Sequence, residues 1–352
     1  MKIADRLIDN SHVFIIAEMS ANHKQNLDTA IEIVKQAKWA GADAIKVQTF
    51  TPDTITIDCE SELFKVKQGS AWDGRYLYNL YKEAMMPFDF YPVLKKVAKQ
   101  QGLMFFSTPT DEVTTDYLNE IDVPCYKIAS YEITDIPLIK HVASKMKPVI
   151  LSSGIASIED IQDAIEACHS MGNDDVILLK CVSAYPTPLE EVNLNAIPYL
   201  HRLFNLPVGL SDHTLGISVP IASVALGAVM IEKHLCLDRN ISTLDSHFSL
   251  EPKEFKEMVI AVREVEKALG NGGYEYTDKM IKGKELARSL FCVKDIKAGE
   301  KFTHENVRSI RPGFGMPPKY IDEIIGKRAK RNIKRGEPID ESNISTAKAI
   351  ID

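Results

Sequence analysis

The chain has 352 residues, 45% of them hydrophobic and 26% charged, with a formal charge of −7 at neutral pH and an isoelectric point near 5.8. Such a composition can bury a large core without metal or disulfide staples. The acidic balance argues against nucleic acid or an anionic membrane as the main partner, yet leaves room for a small anionic substrate.

The first twenty residues contain no apolar segment of signal-peptide length, and no run reaches the roughly 18–20 apolar residues of a spanning helix. Six cysteines (Cys59, Cys125, Cys168, Cys181, Cys236 and Cys292) are scattered without a CxxC spacing. They read as reduced packing residues, and the expected location is cytoplasmic.

In chain order, apolar runs of strand length occupy 13–20, 44–50, 103–109, 125–130, 148–154, 176–182, 208–213 and 229–234. Each is continuously apolar at its start, as a strand covered on both faces should be. Amphipathic segments such as "LDTAIEIVKQAKWAG" and "SIEDIQDAIEACHSMG" lie between them; the second opens on Ser157 with Glu159 and Asp160 behind it, a helix N-terminus. Eight strands alternating with helices predict a (β/α)8 TIM barrel over residues 1–270, with a doubly wound open sheet as the alternative.

One excursion breaks the rhythm. Residues 51–88 carry Trp72, Tyr76, Tyr78 and Tyr81 and connect the second strand to the third. An insertion there lies over the C-terminal face of a barrel, either as a packed excursion with its own aromatic cluster or as a cover for the substrate. After Gly270 a polar linker (271–284) leads to a small β-rich domain at 285–345, whose halves echo each other: "DIKAGEKFTHENV" and "NIKRGEPIDESNI". A tail, 346–352, carries no readable pattern.

Polar residues collect at the strand ends. Glu18, Asn22 and His23 follow the first run; Lys46 and Gln48 lie on the second; Ser107 and Thr108 end the third. Lys127, Ser130 and Glu132, then Ser152 and Ser153, then Lys180 and Ser183 belong to the next three. Ser211, Asp212 and His213 end the seventh run, and Glu232, Lys233 and His234 the eighth. A barrel would bring all of these to one mouth, where unpaired polar groups are costly unless they serve a ligand. Four lysines (46, 127, 180 and 233) with interleaved hydroxyls suit a ligand carrying phosphate and carboxylate. Neither a Walker loop nor a dinucleotide fingerprint is present, which speaks against a nucleotide cofactor. His213 and His234 would stand side by side, either as two ligands of an open divalent-metal site or as hydrogen-bonding barrel histidines without metal.

Together "FIIAEMSANH", "GADAIKVQTF", "FFSTP", "YKIAS", "KCVSAYPTP", "GLSDHTLG" and "IEKHLCLD" resemble the sialic acid synthase family, and "ARSLFCVKDIKAGEKFT" with "RSIRPGFGMPPK" is similar to its antifreeze-like (SAF, β-clip) module. Ser20, where the motif has glycine, and "AWDGRYLYNLYKEA" resemble the pseudaminic acid branch; neuraminate and legionaminate synthases are the alternatives. The resemblance implies condensation of phosphoenolpyruvate (PEP) with an N-acylated amino sugar, here 2,4-diacetamido-2,4,6-trideoxy-L-altrose. It also implies His213 and His234 as ligands of a divalent metal, Mn2+ first, with Mg2+ or Co2+ possible. Lys46, Thr108, Lys127, Ser130, Ser152, Ser183, Tyr185 and Ser211 are implied to bind PEP. Glu132, Asp245 and Arg311 are implied to bind the sugar, with Glu18 handling protons. Arg311 would act from the partner of a homodimer with swapped C-terminal domains. The rival of another class is a non-catalytic carbohydrate- or ice-binding protein built on the antifreeze-like module.

Overall fold

Runs that are apolar on both faces must be covered on both faces, and a parallel sheet closed on itself inside a ring of helices does this. The computed structural model describes residues 1–9, 11–67, 69 and 71–345; the tail at 346–352 lies outside the described residues. Its eight central strands are β1 (Phe14–Glu18), β2 (Ala44–Thr49), β3 (Met104–Pro109), β4 (Tyr126–Ile128), β5 (Val149–Ser152), β6 (Val176–Lys180), β7 (Val208–Asp212) and β8 (Met230–His234). They form a closed barrel in sequence order. Strand β8 pairs back onto β1, with His234 beside Glu18, so the open-sheet alternative falls.

The helices start where local chemistry dictates. Asn26 caps Leu27–Ala40 by accepting from the Thr29 amide, and Gly41 at φ 94° ends it. Ser157 and Asp160 cap Ile158–Ser170 reciprocally, as the sequence predicts. The barrel core is one continuous apolar cluster with Phe14, Ile16, Phe106 and Tyr126 inside it. Gly209 leaves no room for a side chain: a Cβ there would lie 2.5 Å from the Met230 carbonyl and 2.7 Å from Leu179. All six cysteines are free. Among the described residues no helix is long and apolar enough to cross a membrane.

The chain divides into two compact units, Met1–Gly270 and Asn271–Asp352. The polar stretch expected as a linker contains a short helix, Asp278–Gly283, capped by Thr277. In the second unit Ser289–Cys292 pairs antiparallel with Val307–Ile310 around a small core of Leu290, Phe302, Val307, Ile333 and Ile339. The echo in the sequence is a structural duplication. Gly299 and Gly336 turn with positive φ, buried Asn306 and Asn343 cap Thr303 and Asp340 at 2.7 Å, and Ile296 and Ile333 exchange both backbone hydrogen bonds at 2.8 Å.

Candidate active site

Side chains on a strand alternate between the barrel interior and the helix layer, so register parity decides which strand-end residues reach the mouth. The mouth is a cavity of about 600 Å3. Lys46, Gln48, Thr108, Lys127, Ser130, Glu132, Ser152, Ser211, His213, Glu232 and His234 line it, with Tyr185 and Asp245 from the loops after β6 and β8.

Two of the four expected lysines are not there. Lys233 points to the helix layer, fully buried, and donates to Asp212 Oδ2 at 2.5 Å and to the Thr214 carbonyl. Lys180, likewise of outward parity, donates to the Cys181 carbonyl at 2.7 Å. The four-cation reading is thus corrected to Lys46 and Lys127, joined in the lining by Lys65 and Lys67 of the insertion. Asn22 and His23 also turn away from the ligand space. Asn22 donates to Leu235 O and Ser249 Oγ, while His23 Nδ1 accepts from the Gln25 amide at 2.8 Å. Ser107 and Ser153 bond the carbonyls of Val47 and Leu179.

The floor is a buried charge cluster. Lys46 Nζ lies 2.7 Å from Glu18 Oε2 and 3.5 Å from Glu232 Oε1, and Lys127 Nζ lies 3.2 Å from Glu232 Oε1. Ser211 donates to the same oxygen at 3.3 Å, and Lys46 donates to Thr108 Oγ1 at 3.3 Å. Two ammoniums against two carboxyls leave little net charge before a ligand arrives, which makes their burial tolerable. Burial raises Glu18 to about 7 against the pull of Lys46. Burial would raise Glu232 too, but Lys127 and Lys46 outweigh it and hold that carboxyl below its usual range. Glu18 is not part of the cavity lining; it sits beneath Lys46. Glu232, to which the sequence reading assigned no role, is the counter-charge of both lysines. Its spacing two residues before His234 was the available signal, since that parity puts both on one face.

Hydroxyls ring the lysines. Ser152 Oγ is buried with no hydrogen-bond partner among the described residues. Ser130 Oγ accepts from the Gly154 amide at 3.0 Å. Ser183 lies outside the lining, half-buried; a Cβ at Gly154 would come within 2.3 Å of its oxygen and 2.5 Å of Ser130 Oγ, so glycine keeps these hydroxyls together.

The two histidines face each other, ring centroids 5.3 Å apart, with Phe248 against both. His213 Nδ1 lies 3.0 Å from the Val182 carbonyl and 3.9 Å from Cys181 Sγ. Donation to the carbonyl leaves the Nε2 lone pair for a ligand. His234 Nδ1 is buried without a partner, and burial, reinforced by His213 and Lys46, holds this imidazole well below its usual pKa, hence neutral. Burial lowers His213 as well, but Cys181 outweighs it and holds this imidazole above its usual value. Among the described residues no group of three or more His, Cys, Asp or Glu side chains is arranged around an ion. The pair fits an open site completed by water and substrate, not a closed structural one.

Aromatic residues of the insertion do not form a cluster of their own. Trp72 packs on Tyr185 (5.4 Å) and His247 (6.4 Å) and donates to the Leu244 carbonyl at 3.1 Å. Tyr81 packs on Phe50, and Tyr76 lies under Lys65. Ile55, Val66, Trp72, Leu77 and Leu80 supply an apolar wall opposite the charged floor. Beside it, burial pushes Glu132 up to about 7. Its ionised form therefore costs stability, a cost absent below its unfolded value near 4.5 and complete above about 7. Glu132→Gln should stabilise the ligand-free protein at pH 8 by ~2 kcal/mol, allowing for partial exposure, and by nearly nothing at pH 4.5. Thermal unfolding at both pH values checks this, and an equal gain at both would show that ionisation is not the cause. Arg311 belongs to the second unit, at a cis bond to Pro312.

Comparison with known proteins places this geometry. Residues 33–274 match the NeuB family and residues 287–345 the SAF domain. Over 94% of the chain and 96% of the relative's length, the sequence is 46% identical to the pseudaminic acid synthase of Campylobacter jejuni strain 81-176. To the N,N'-diacetyllegionaminic acid synthase of Legionella pneumophila it is 37% identical, over 92% of both chains. The fold superposes on the crystal structure of N-acetylneuraminic acid synthetase from Leptospira borgpetersenii with a TM-score of 0.72 and 33% identity, covering 80% of this chain and 94% of that one. With a charged floor, a histidine pair and an apolar wall in one barrel mouth, and an SAF domain following the barrel in the sequence, the chain belongs to the NeuB family.

Proposed function

We propose that the chain is a pseudaminic acid synthase, joining PEP to 2,4-diacetamido-2,4,6-trideoxy-L-altrose with addition of water and release of phosphate. What carries this reading is the division of one cavity into a lysine–hydroxyl floor suited to PEP and an apolar wall suited to a deoxygenated, acylated sugar. The 46% identity to a pseudaminic acid synthase, against 37% to a legionaminic acid synthase, favours the altrose derivative.

Lys46 and Lys127 hold the PEP phosphate and offset its charge as the C–O bond breaks, while Thr108, Ser130, Ser152 and Ser211 fill its remaining acceptor positions. Ser183 shapes this pocket from behind Gly154, and Tyr185 closes its rim. Glu232 stays in place as the counter-charge of both lysines when the phosphate binds beside them. Glu132 and Asp245 receive hydroxyl and acylamino donors of the sugar, so that PEP C3 is aimed at the aldehyde carbon. A divalent ion, Mn2+ first, would be held by His213 and His234 and would supply Lewis-acid polarisation of the aldehyde. Glu18, poised near pH 7 against Lys46, accepts the proton released when water adds at PEP C2 and returns it to the new hydroxyl, acting through Lys46.

The same proposal includes a cytoplasmic homodimer with exchanged C-terminal modules, Arg311 reaching the partner's sugar site. Six free cysteines suit a reducing compartment. Opposite charges suit the exchange: residues 271–352 hold 17 Lys and Arg against 12 Asp and Glu, and residues 1–270 hold 25 against 37.

Phosphate release with PEP and Mn2+, run with the altrose derivative, N-acetylmannosamine and the legionaminate precursor, tests the function. The altrose derivative should give the largest kcat/KM. Preference for either other sugar would move the chain to that branch, and no release with any of the three would leave only a binding role.

A further inference from the structure

Lys233 does not line the cavity, yet it is fully buried, 0% exposed, on the helix side of β8. Its partner there is Asp212, 3% exposed. Replacing such a buried ion pair by apolar side chains is often neutral or stabilising, because both charges have been taken out of water. Stability alone therefore does not account for a lysine at this position.

Its bonds show what the ammonium ties together. Lys233 and Asp212 are register partners on β8 and β7, and Nζ donates to Asp212 Oδ2 at 2.5 Å and to the Thr214 carbonyl. Asp212 in turn accepts from the Thr214 amide at Oδ1 and from the Thr214 hydroxyl at Oδ2, both at 3.1 Å. Asp212 and Thr214 are the chain neighbours of His213, so these bonds close around that residue. On the other strand Lys233 directly precedes His234. Side chains alternate along a strand, so the outward Asp212 and Lys233 stand back to back with the inward His213 and His234, which line the cavity. His234 Nδ1 has no hydrogen-bond partner among the described residues, so that nitrogen does nothing to fix the ring, and the backbone beneath it matters more. One buried ammonium thus joins the chain on either side of His213 to the position just before His234.

We propose that Lys233 and Asp212 are positioning residues for the metal ligands: their ion pair fixes the ends of β7 and β8 against each other, and with them the spacing at which His213 and His234 meet a divalent cation. This rests on the reading of the two histidines as ligands of one open site. Neither Lys233 nor Asp212 reaches the cation; both act through the backbone that carries the imidazoles.

Calorimetric titration with Mn2+, paired with thermal unfolding of the same proteins, tests this. Removing contacts that orient a ligating side chain typically costs about ten- to hundredfold in metal affinity, and Lys233→Met should weaken Mn2+ binding by that much. It should also melt lower than the wild type, because it strands the buried Asp212 carboxylate. Adding Asp212→Asn removes the stranded charge. The double variant should regain most of the lost stability, while its Mn2+ affinity stays at least about tenfold below that of the wild type. Should Lys233→Met fail to fold, the double variant carries the test. Both variants should bind PEP, titrated without metal, as the wild type does, since Lys46 and Lys127 stand on β2 and β4. Mn2+ affinity that returns together with stability would make the pair a structural tie only and overturn the proposal. Wild-type Mn2+ affinity in Lys233→Met, or an equal loss of PEP binding, would also overturn it. A wild-type protein with no Mn2+ site would instead overturn the metal reading beneath it.

Discussion

Alanine at His213 or at His234 should lower turnover by about a thousandfold or more, while the barrel stays folded. The geometry accounts for both halves of that expectation. His234 is neutral, with a buried ring nitrogen that bonds nothing among the described residues, so its removal gives up ring packing against Phe248 and His213 and no hydrogen bond of that nitrogen. His213 gives up one hydrogen bond to the Val182 carbonyl, worth about 1 kcal/mol. A Lewis acid at a reacting carbonyl contributes several kcal/mol, and every 1.4 kcal/mol is about tenfold in rate. Calorimetric titration with Mn2+ should show one site in the wild type and strongly weakened binding in each variant, with unchanged circular dichroism. Turnover retained in both variants would remove the metal assignment, leaving two packed histidines against Phe248.

Lys46→Met should be costly in two separable ways. It removes a phosphate-binding cation, and it leaves Glu18, 1% exposed, without its closest counter-charge at 2.7 Å. Above pH 7, where Glu18 is ionised in the wild type, breaking this buried pair from one side costs up to about 3–5 kcal/mol, and loss of the cation should lower kcat/KM for PEP by about a hundredfold to a thousandfold. Combining Lys46→Met with Glu18→Gln removes the stranded charge, so most of the lost stability should return while PEP binding stays lost. Thermal unfolding and steady-state kinetics of the three proteins decide it. A single variant as stable as the wild type would mean that water reaches Glu18; a double variant that regains PEP binding would mean that Lys46 serves only as a structural counter-ion.

Much of this site could be found in the sequence because its signals are local. The cap at Ser157 and the continuous apolar starts of the eight strands follow from interactions within a few residues. The clustering of polar groups at strand ends is visible for the same reason. Parity was the weak point. Lys180 and Lys233 look identical to Lys46 and Lys127 in a list of strand-end lysines, yet one step along a strand sends a side chain to the helix layer. The insertion shows a second limit. Its aromatics are close in sequence, which suggests a cluster, but Trp72 finds Tyr185 and His247.

By itself, then, the sequence determined the alternation that must close into a barrel, the duplicated C-terminal module and the residue types gathered at the mouth, all set by periodicity and short-range chemistry. Only the tertiary structure decided that Glu232 balances two lysines, that Glu18 lies beneath Lys46 instead of in the cavity, and that the turn after β1 meets Asp245 through the Ala21 amide. No local propensity encodes those relations: Glu18 and Lys46 are register partners on neighbouring strands, and Glu232 and Asp245 reach residues from the start of the barrel domain because closure brings β8 and its loop against β1.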